Sequence, residues 1–191
     1  IDATGCVGLS SLSITVGRAC GVDAEGQAWC WGFDADGFAD GKATRRPEPV
    51  LGEHDFTSVS VGVRSTCGLD SDGSVWCWGS PLFLGIGSVS GINETPMPVW
   101  GDHLFSELRS GDSLYCGLDL EGRLWCWGYI PVVNELVGVP MEIPTGQRFH
   151  GLQVSQRFMC ALDADDRAWC GGVNLFGNLG DGSQVDSALP V

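Results

Sequence analysis

Positive charge is scarce in this chain: 10 Lys and Arg stand against 24 Asp and Glu, a formal net charge of −14. A surface of that sign repels phosphate backbones, and the densest basic stretch, "TRRP" at 44–47, does not offset it. Nucleic acid and anionic membranes are therefore poor partners. The acidity reads first as solubility, with a cationic partner or bound metal ions as the other reading. No apolar run approaches the ~20 residues of a spanning helix, so no membrane insertion is expected. Histidine is rare, with three in all, and Cys-x-x-Cys is missing, which argues against zinc sites. Helical periodicity is missing too. With 29 Gly and 43% hydrophobic residues, the chain is too Gly-rich for a helical protein and too apolar for disorder. No Gly-x-Ser-x-Gly, His-Glu-x-x-His or phosphate loop occurs, so no catalytic residues are assigned and no enzyme is expected.

Cysteine, by contrast, is plentiful, with nine residues. Eight form four pairs spaced ten residues apart: Cys20/Cys30, Cys67/Cys77, Cys116/Cys126 and Cys160/Cys170. Each pair brackets a turn of the type Asp-x-Asp/Glu-Gly, or Asp165-Asp166 in the last copy, where acidic residues favour the turn and Gly supplies positive φ. Centring the first hairpin on Glu25 sets Asp23 against Gln27, Val22 against Ala28, Gly21 against Trp29 and Cys20 against Cys30. The cysteines then lie directly opposite, within disulfide reach. Each bridge closes a short loop and should contribute about 2–3 kcal/mol in the chain-entropy model. Such a set implies an oxidising setting: extracellular, cell-surface or periplasmic. Cys6 has no counterpart and is expected to be unpaired or to pair with another chain.

The pairs recur at steps of 47, 49 and 44 residues, an internal repeat in the propeller range. Alternating stretches precede each hairpin ("SLSITVG" at 11–17, "FTSVSVG" at 56–62), and Pro-flanked extended pieces ("PEPVLG" at 47–52, "TPMPVWG" at 95–101) lie between repeats. The expected fold is all-β: a β-propeller of four-stranded antiparallel blades, with four repeats at approximately 1–46, 47–94, 95–138 and 139–191. In this phase the final "SALPV" is a strand that would open a further blade. Together with a chain that starts at Ile1, that suits a slice of a longer array, a closed four-blade ring, or two chains completing one ring.

"CGLDSDGSVWCWGS" (67–80) and "CALDADDRAWCGGVNLFGNLGDG" (160–182) resemble repeats of the regulator-of-chromosome-condensation type, and the added cysteine pairs resemble that family's secreted, disulfide-bearing bacterial branch. The family pattern ends in Asn-x-x-Gly-x-Leu-Gly-Asp-Gly, which "NLFGNLGDG" (174–182) follows position by position; "DADGFADG" (34–41) follows it with Asp34 in the Asn slot. The second and third repeats lack this loop. The His slot of the family holds Arg18, Ser65, Leu114 and Phe158 here. The resemblance implies a rigid ring presenting variable loops.

Several residues are candidates for ligand contact. Asp34, Asp36 and Asp40 around Gly37 have the oxygen donors for calcium, although Asp-Gly in such a loop also simply makes turns. No other cofactor is indicated. Asn93-Glu94-Thr95 is a glycosylation sequon. Glu53-His54-Asp55 and Asp102-His103 occupy equivalent positions and read as solvated loop residues. "SPLFLGIGSVSGI" (80–92) and "GYIPVVNELVGVP" (128–140) are apolar where polar loops are expected, and either pack beneath neighbouring blades or form an exposed contact patch. Phe83, Tyr129, Ile130 and Phe176 are the binding candidates. The leading functional expectation is a non-enzymatic extracellular or cell-surface binding or structural module, joined to a protein partner or to other segments of a larger assembly. A carbohydrate-binding propeller lectin and an inhibitor of a secreted enzyme are the alternatives. Finally, Trp-Cys-Trp occurs three times but the fourth copy reads "WCG". The wedge at Gly171 is thus expected either to be filled differently or to lack its usual neighbour.

Overall fold

The structure, a computed structural model, describes residues 7–33, 43–87 and 93–191. Cys6, Asp34, Asp36 and Asp40 lie outside the described residues. The chain forms four antiparallel meanders, one per cysteine pair. The first comprises β1 (Ser11–Thr15), β2 (Arg18–Val22), β3 (Ala28–Phe33) and β4 (Ala43–Pro49). The second comprises β5 (Phe56–Val61), β6 (Ser65–Asp70), β7 (Val75–Gly79) and β8 (Asn93–Pro98), and the third β9 (Phe105–Ser110), β10 (Leu114–Asp119), β11 (Leu124–Ile130) and β12 (Glu135–Glu142). The fourth has β13 (Phe149–Val154), β14 (Phe158–Asp163) and β15 (Ala168–Gly172). One 3-10 turn, Pro81–Phe83, is the only helical element among the described residues.

The hairpin register is the one the ten-residue spacing predicts. Cys20 faces Cys30, Cys67 faces Cys77, Cys116 faces Cys126 and Cys160 faces Cys170. All four pairs are joined as disulfides, each with its Cα atoms 4.1 Å apart. At each tip the fourth turn residue has positive φ: Gly26, Gly73, Gly122, and in the last copy Asp166 at 60°. The Gly after the second Trp is also obligatory. A Cβ on Gly32 would sit 2.3 Å from the Gly17 carbonyl oxygen, and one on Gly128 would sit 2.2 Å from that of Ser113.

The phase of the sheets differs from that of the sequence repeats. The Pro-flanked pieces close each sheet instead of opening the next, because β4, β8 and β12 pair with the strand before them. The terminal "SALPV" does the same. Gly172 and Ser187 exchange backbone hydrogen bonds, as do Cys170 and Val191, so residues 187–191 edge the fourth sheet.

Alternation gives each sheet two unlike faces. One carries the disulfide, and the other carries the tryptophans, two in each of the first three sheets and Trp169 alone in the fourth. The cystine face of each sheet packs on the tryptophan face of the next. Cys20, Val22, Ala28 and Cys30 meet Phe56, Val59, Val61 and Trp78. On the second sheet Cys67, Leu69, Val75 and Cys77 meet Phe105, Leu108, Tyr115 and Trp127 of the third, and both cysteines are fully buried there. The disulfide face of the third meets Phe149, Leu152, Met159 and Ala161 of the fourth. First strands add cross-links: Ser13 Oγ accepts from the Val61 amide, Ser60 Oγ donates to Ser110 Oγ, and the Glu107 carboxylate accepts from the amides of Gly151 and Leu152. Burial pushes the Tyr115 phenol up to about 12, against hydrogen bonding with Ser65 Oγ and the Gly62 amide.

Gly171 belongs to the tryptophan face of the fourth sheet, and that face does have its neighbour. The wedge is filled differently. The backbone of Leu189 and Pro190 lies 3.1–3.4 Å from where a Cβ would stand. Beside it a cavity of about 40 Å³ is lined by Leu114, Ile130, Ile143, Phe158 and Met159. The fourth copy of the motif therefore does not mark a missing neighbour, and the uncovered faces lie elsewhere.

Candidate functional site

The acidic hairpin tips are occupied with holding their own turns. Asp119 Oδ1 accepts from the amides of Glu121 and Arg123 at 3.0 and 2.8 Å, while Oδ2 accepts from Trp125 Nε1 at 2.9 Å and Arg123 Nε at 2.6 Å. Asp163 repeats the set with Asp165, Arg167 and Trp169, and Asp23 with Glu25, Gln27 and Trp29. Donation from Trp169, then from the Arg167 and Asp165 amides and the Arg167 side chain, outweighs desolvation and holds the Asp163 carboxyl down at about 2. Burial pulls Asp119 and Asp23 upward, but the same kinds of hydrogen bond win and both sit below the usual range. Carboxylates so fully bonded have little left for a ligand. Among the described residues no three His, Cys, Asp or Glu are grouped to hold a metal.

The second tip departs from this scheme. Asp70 Oδ1 accepts from the Ser71 amide, Asp72 takes the Ser74 amide, and the buried Nε1 of Trp76 has no partner. His54 packs there instead, 4.5 Å from Trp76 and 4.8 Å from Phe56. Its repeat partner His103 lies 4.0 Å from Trp125. Both histidines are packed on aromatic rings and only partly exposed. Next to His103 a groove of about 520 Å³ opens between the second and third sheets, bordered by Trp76, Trp100 and Asp102. Trp100 is 62% exposed.

The four aromatic and aliphatic candidates are not brought together. Phe83 ends the 3-10 turn and packs, partly buried, against the core between the second and third sheets. Behind it Leu84 is fully buried and Gly87 bonds to the Gly138 carbonyl, so 80–87 lies beneath the third sheet. Ile130 is partly buried at the next interface. Tyr129 stands at the surface with its hydroxyl donating to Asn134 Oδ1 at 2.7 Å. Asn93 begins β8 with its amide nitrogen buried and, among the described residues, without a hydrogen-bond partner.

Phe176 differs from all of these: it is 91% exposed. Its loop is nonetheless tightly held. Asn174, fully buried, accepts from the Leu179 amide through Oδ1 and donates from Nδ2 to the carbonyls of Ser183 and Val185. Its own amide donates to Asp186 Oδ1 at 2.7 Å, and Asn178 Nδ2 donates to the Val173 carbonyl. Leu179 plugs the loop from beneath, which leaves Leu175 and Phe176 pointing outward. A shallow depression of about 200 Å³ adjoins them, reaching Arg157, Phe158 and Val173. Sequence reasoning picked out Phe176 but not Asn174. The signal was present in the Asn that opens "NLFGNLGDG".

Residues 56–83 match the family model for the regulator of chromosome condensation (RCC1) repeat. None of the curated proteins matches the chain. Among solved structures, human WBSCR16 is similar with a TM-score of 0.83 at 19% identity, over 96% of this chain and 52% of that one. Yeast RCC1 (Prp20), bound to Kap60, gives 0.79 at 16% identity, over 96% and 48%. The ectodomain of the receptor kinase CR4 from Physcomitrella patens gives 0.60 at 23%, over 87% and 39%. The chain thus spans about half the length of the first two. At these identities the likeness is one of fold, and the four cystines fit a non-cytosolic setting. The chain presents four antiparallel blades whose fold is like that of RCC1 propellers, and a stretch of the second matches the RCC1 repeat.

Proposed function

We propose that this chain is a non-enzymatic protein-binding module working outside the cytosol, at the cell surface, extracellularly or in the periplasm. The observation that carries the reading is Phe176. An aromatic ring almost wholly in water, on a loop fixed by a buried asparagine, is a pre-ordered anchor that loses little entropy on docking. Leu175 and the depression beside it supply the apolar surround of such a contact. The solved yeast RCC1, bound to Kap60, offers a precedent for protein recognition by this fold.

The test compares wild type with Phe176→Ala, immobilised side by side and exposed to secreted and surface proteins of the source cells. A protein retained by wild type, lost from the variant, and then titrating one to one in purified form supports the proposal. Equal retention by both chains overturns it. A second reading rests on the groove beside Trp100, which has the exposed indole and acid of a carbohydrate site. Binding on a glycan array that Trp100→Ala removes and Phe176→Ala leaves intact would favour that reading over the first.

A further inference from the structure

Each hairpin places a different residue at one position, seven after its first cysteine: Gln27, Ser74, Arg123 or Arg167. In the third sheet the Arg123 guanidinium stands 5.8 Å from the centre of the Trp125 ring. Its Nε and the indole Nε1 of Trp125 both donate to Asp119 Oδ2. Arg167 and Trp169 share Asp163 Oδ2 in the same way. Gln27 instead reaches across its sheet and donates to the Val50 carbonyl at 2.9 Å. Three of the four tips thus lay a long polar side chain beside their tryptophan.

The second tip has only Ser74 there, drawn back by its amide, which donates to Asp72 Oδ1 at 2.8 Å. Asp70 Oδ2 lies 3.8 Å from His54 Nδ1, and Trp76 Nε1 lacks the carboxylate that the other three indoles have. Ser74, Trp76 and Pro98 form one wall of the groove of about 520 Å³ between the second and third sheets. Trp76 pairs with Pro98 as Trp125 pairs with Glu142, so the open space matches the place that Arg123 fills one sheet further on. The other wall is the exposed Asp102 and Trp100, whose amide is fixed on the Gly85 carbonyl at 2.9 Å. In the turn between the first two sheets Leu51 stands where Trp100 does, so that interface has neither the aromatic wall nor the short tip residue. Both sheets that border the groove have a neighbour on each face.

We propose that this groove receives an arginine side chain of a partner protein. The guanidinium takes the place that Arg123 holds in the third sheet, between the Trp76 and Trp100 indoles and with Asp102 as its counter-charge. Aromatic faces attract a cation, and a guanidinium, planar and weakly hydrated, stacks on them better than an ammonium does. The net charge of −14 favours the approach of a basic segment. Asp70 completes the site by turning from His54 to accept from both the guanidinium and Trp76 Nε1, the arrangement that Asp119 and Asp163 already hold. The groove thereby takes a cation rather than a sugar. It is a contact separate from the Phe176 loop and stands independently of what that loop binds.

Titrating the isotope-labelled chain with the peptide acetyl-Gly-Arg-Gly-amide, while following the indole N–H resonances by NMR, tests this. Saturable shifts are expected at Trp76 and Trp100, with Trp76 moving towards the positions of the carboxylate-bonded indoles. The lysine peptide should bind more weakly, and the citrulline peptide, equal in shape but uncharged, should not bind. Trp100→Ala and Asp102→Asn should each weaken binding about threefold, the scale of an exposed cation–π contact and of an exposed ion pair. Ser74→Arg supplies the groove with a guanidinium of the chain's own, so it should move the Trp76 resonance without peptide and abolish peptide binding. Phe176→Ala should leave the titration unchanged, which separates this site from the loop. No shift at the highest soluble peptide concentration overturns the proposal, as does equal binding of the citrulline peptide or binding undiminished by both Ser74→Arg and Trp100→Ala. A simple sugar that shifts Trp100 where the arginine peptide shifts nothing overturns it in favour of the carbohydrate reading.

Discussion

The third and fourth sheets carry the same hairpin but live in different surroundings. Their tips are near copies: Asp119 and Asp163 take the same two backbone amides, the same indole and the same arginine. Their faces are not. The third sheet is sandwiched, with Trp127 fully buried and Cys116 covered, whereas the fourth has Gly171 in place of the second Trp and a half-covered Cys160. Turn geometry is thus fixed within a dozen residues, while burial is decided by the neighbouring sheet. The two layers of the code can be disturbed separately.

The largest effect is expected where the neighbour matters most. Trp127→Ala should cost about 3–5 kcal/mol, since it empties a packed wedge between the second and third sheets. At Gly171, where the second Trp is missing, the backbone of residues 189–190 stands in the space instead. Chemical denaturation of the variant measures the cost. A loss below that of a surface substitution would mean that the wedge is not close-packed.

Removing a staple should come next. Replacing Cys116 and Cys126 together by Ser should cost about 2–3 kcal/mol through the freed loop, and the Cys160/Cys170 pair a similar amount, because the loops are equal in length. The third-sheet pair should be somewhat the costlier, since its hydroxyls would be left in a fully buried interface. Equal costs under denaturant would show that the neighbour contributes nothing at this position.

How far the sequence could be read follows the same division. The ten-residue cysteine spacing and the Asp-x-Asp/Glu-Gly turn dictate register locally, so pairings such as Val22 with Ala28 and Cys67 with Cys77 were legible without any neighbour. The fate of Phe83 was not, because its burial depends on β11 and β12, more than forty residues further along the chain. The Gly171 copy was open to two readings for the same reason. What fills its wedge is the chain's last residues, and nothing near position 171 announces them. The phase of the Pro-flanked strands was equally undetermined, since a strand between two hairpins has the same composition whichever one it joins. The Asn174 loop was recognisable as a motif, but only its hydrogen bonds reveal that Phe176 is held out rather than tucked in.

Acid should probe the shared tip at a smaller scale. A carboxyl whose folded pKa is depressed contributes stability that is fully present above its unfolded value and is lost as pH falls through the folded one. For Asp163 that window runs from the ordinary aspartate value of 3.8 down to about 2. Wild type should therefore melt higher than Asp163→Asn at neutral pH, and the gap should narrow below pH 4 and close near pH 2. Asp119→Asn should behave alike, because hydrogen bonds from Trp125 and Arg123 outweigh burial there and lower its pKa too. A gap independent of pH would mean that the tip is held by shape rather than by charge.

The smallest effect on stability is expected at the most exposed aromatic ring. Phe176 touches too little to support the fold, and Leu179 and Asn174 hold its loop without it. Phe176→Ala should therefore shift stability by no more than about 0.5 kcal/mol, as substitutions on an open surface do. Asn174→Ala should be far costlier, leaving the Leu179 amide, which is buried, without an acceptor. If both variants melt alike, the loop is not held by its asparagine, and the ring at its tip is no pre-ordered anchor. If only Asn174→Ala melts early, the residue that keeps the loop in place is separable from the one it displays. A loss of partner binding in Phe176→Ala can then be assigned to the missing contact rather than to a disordered loop.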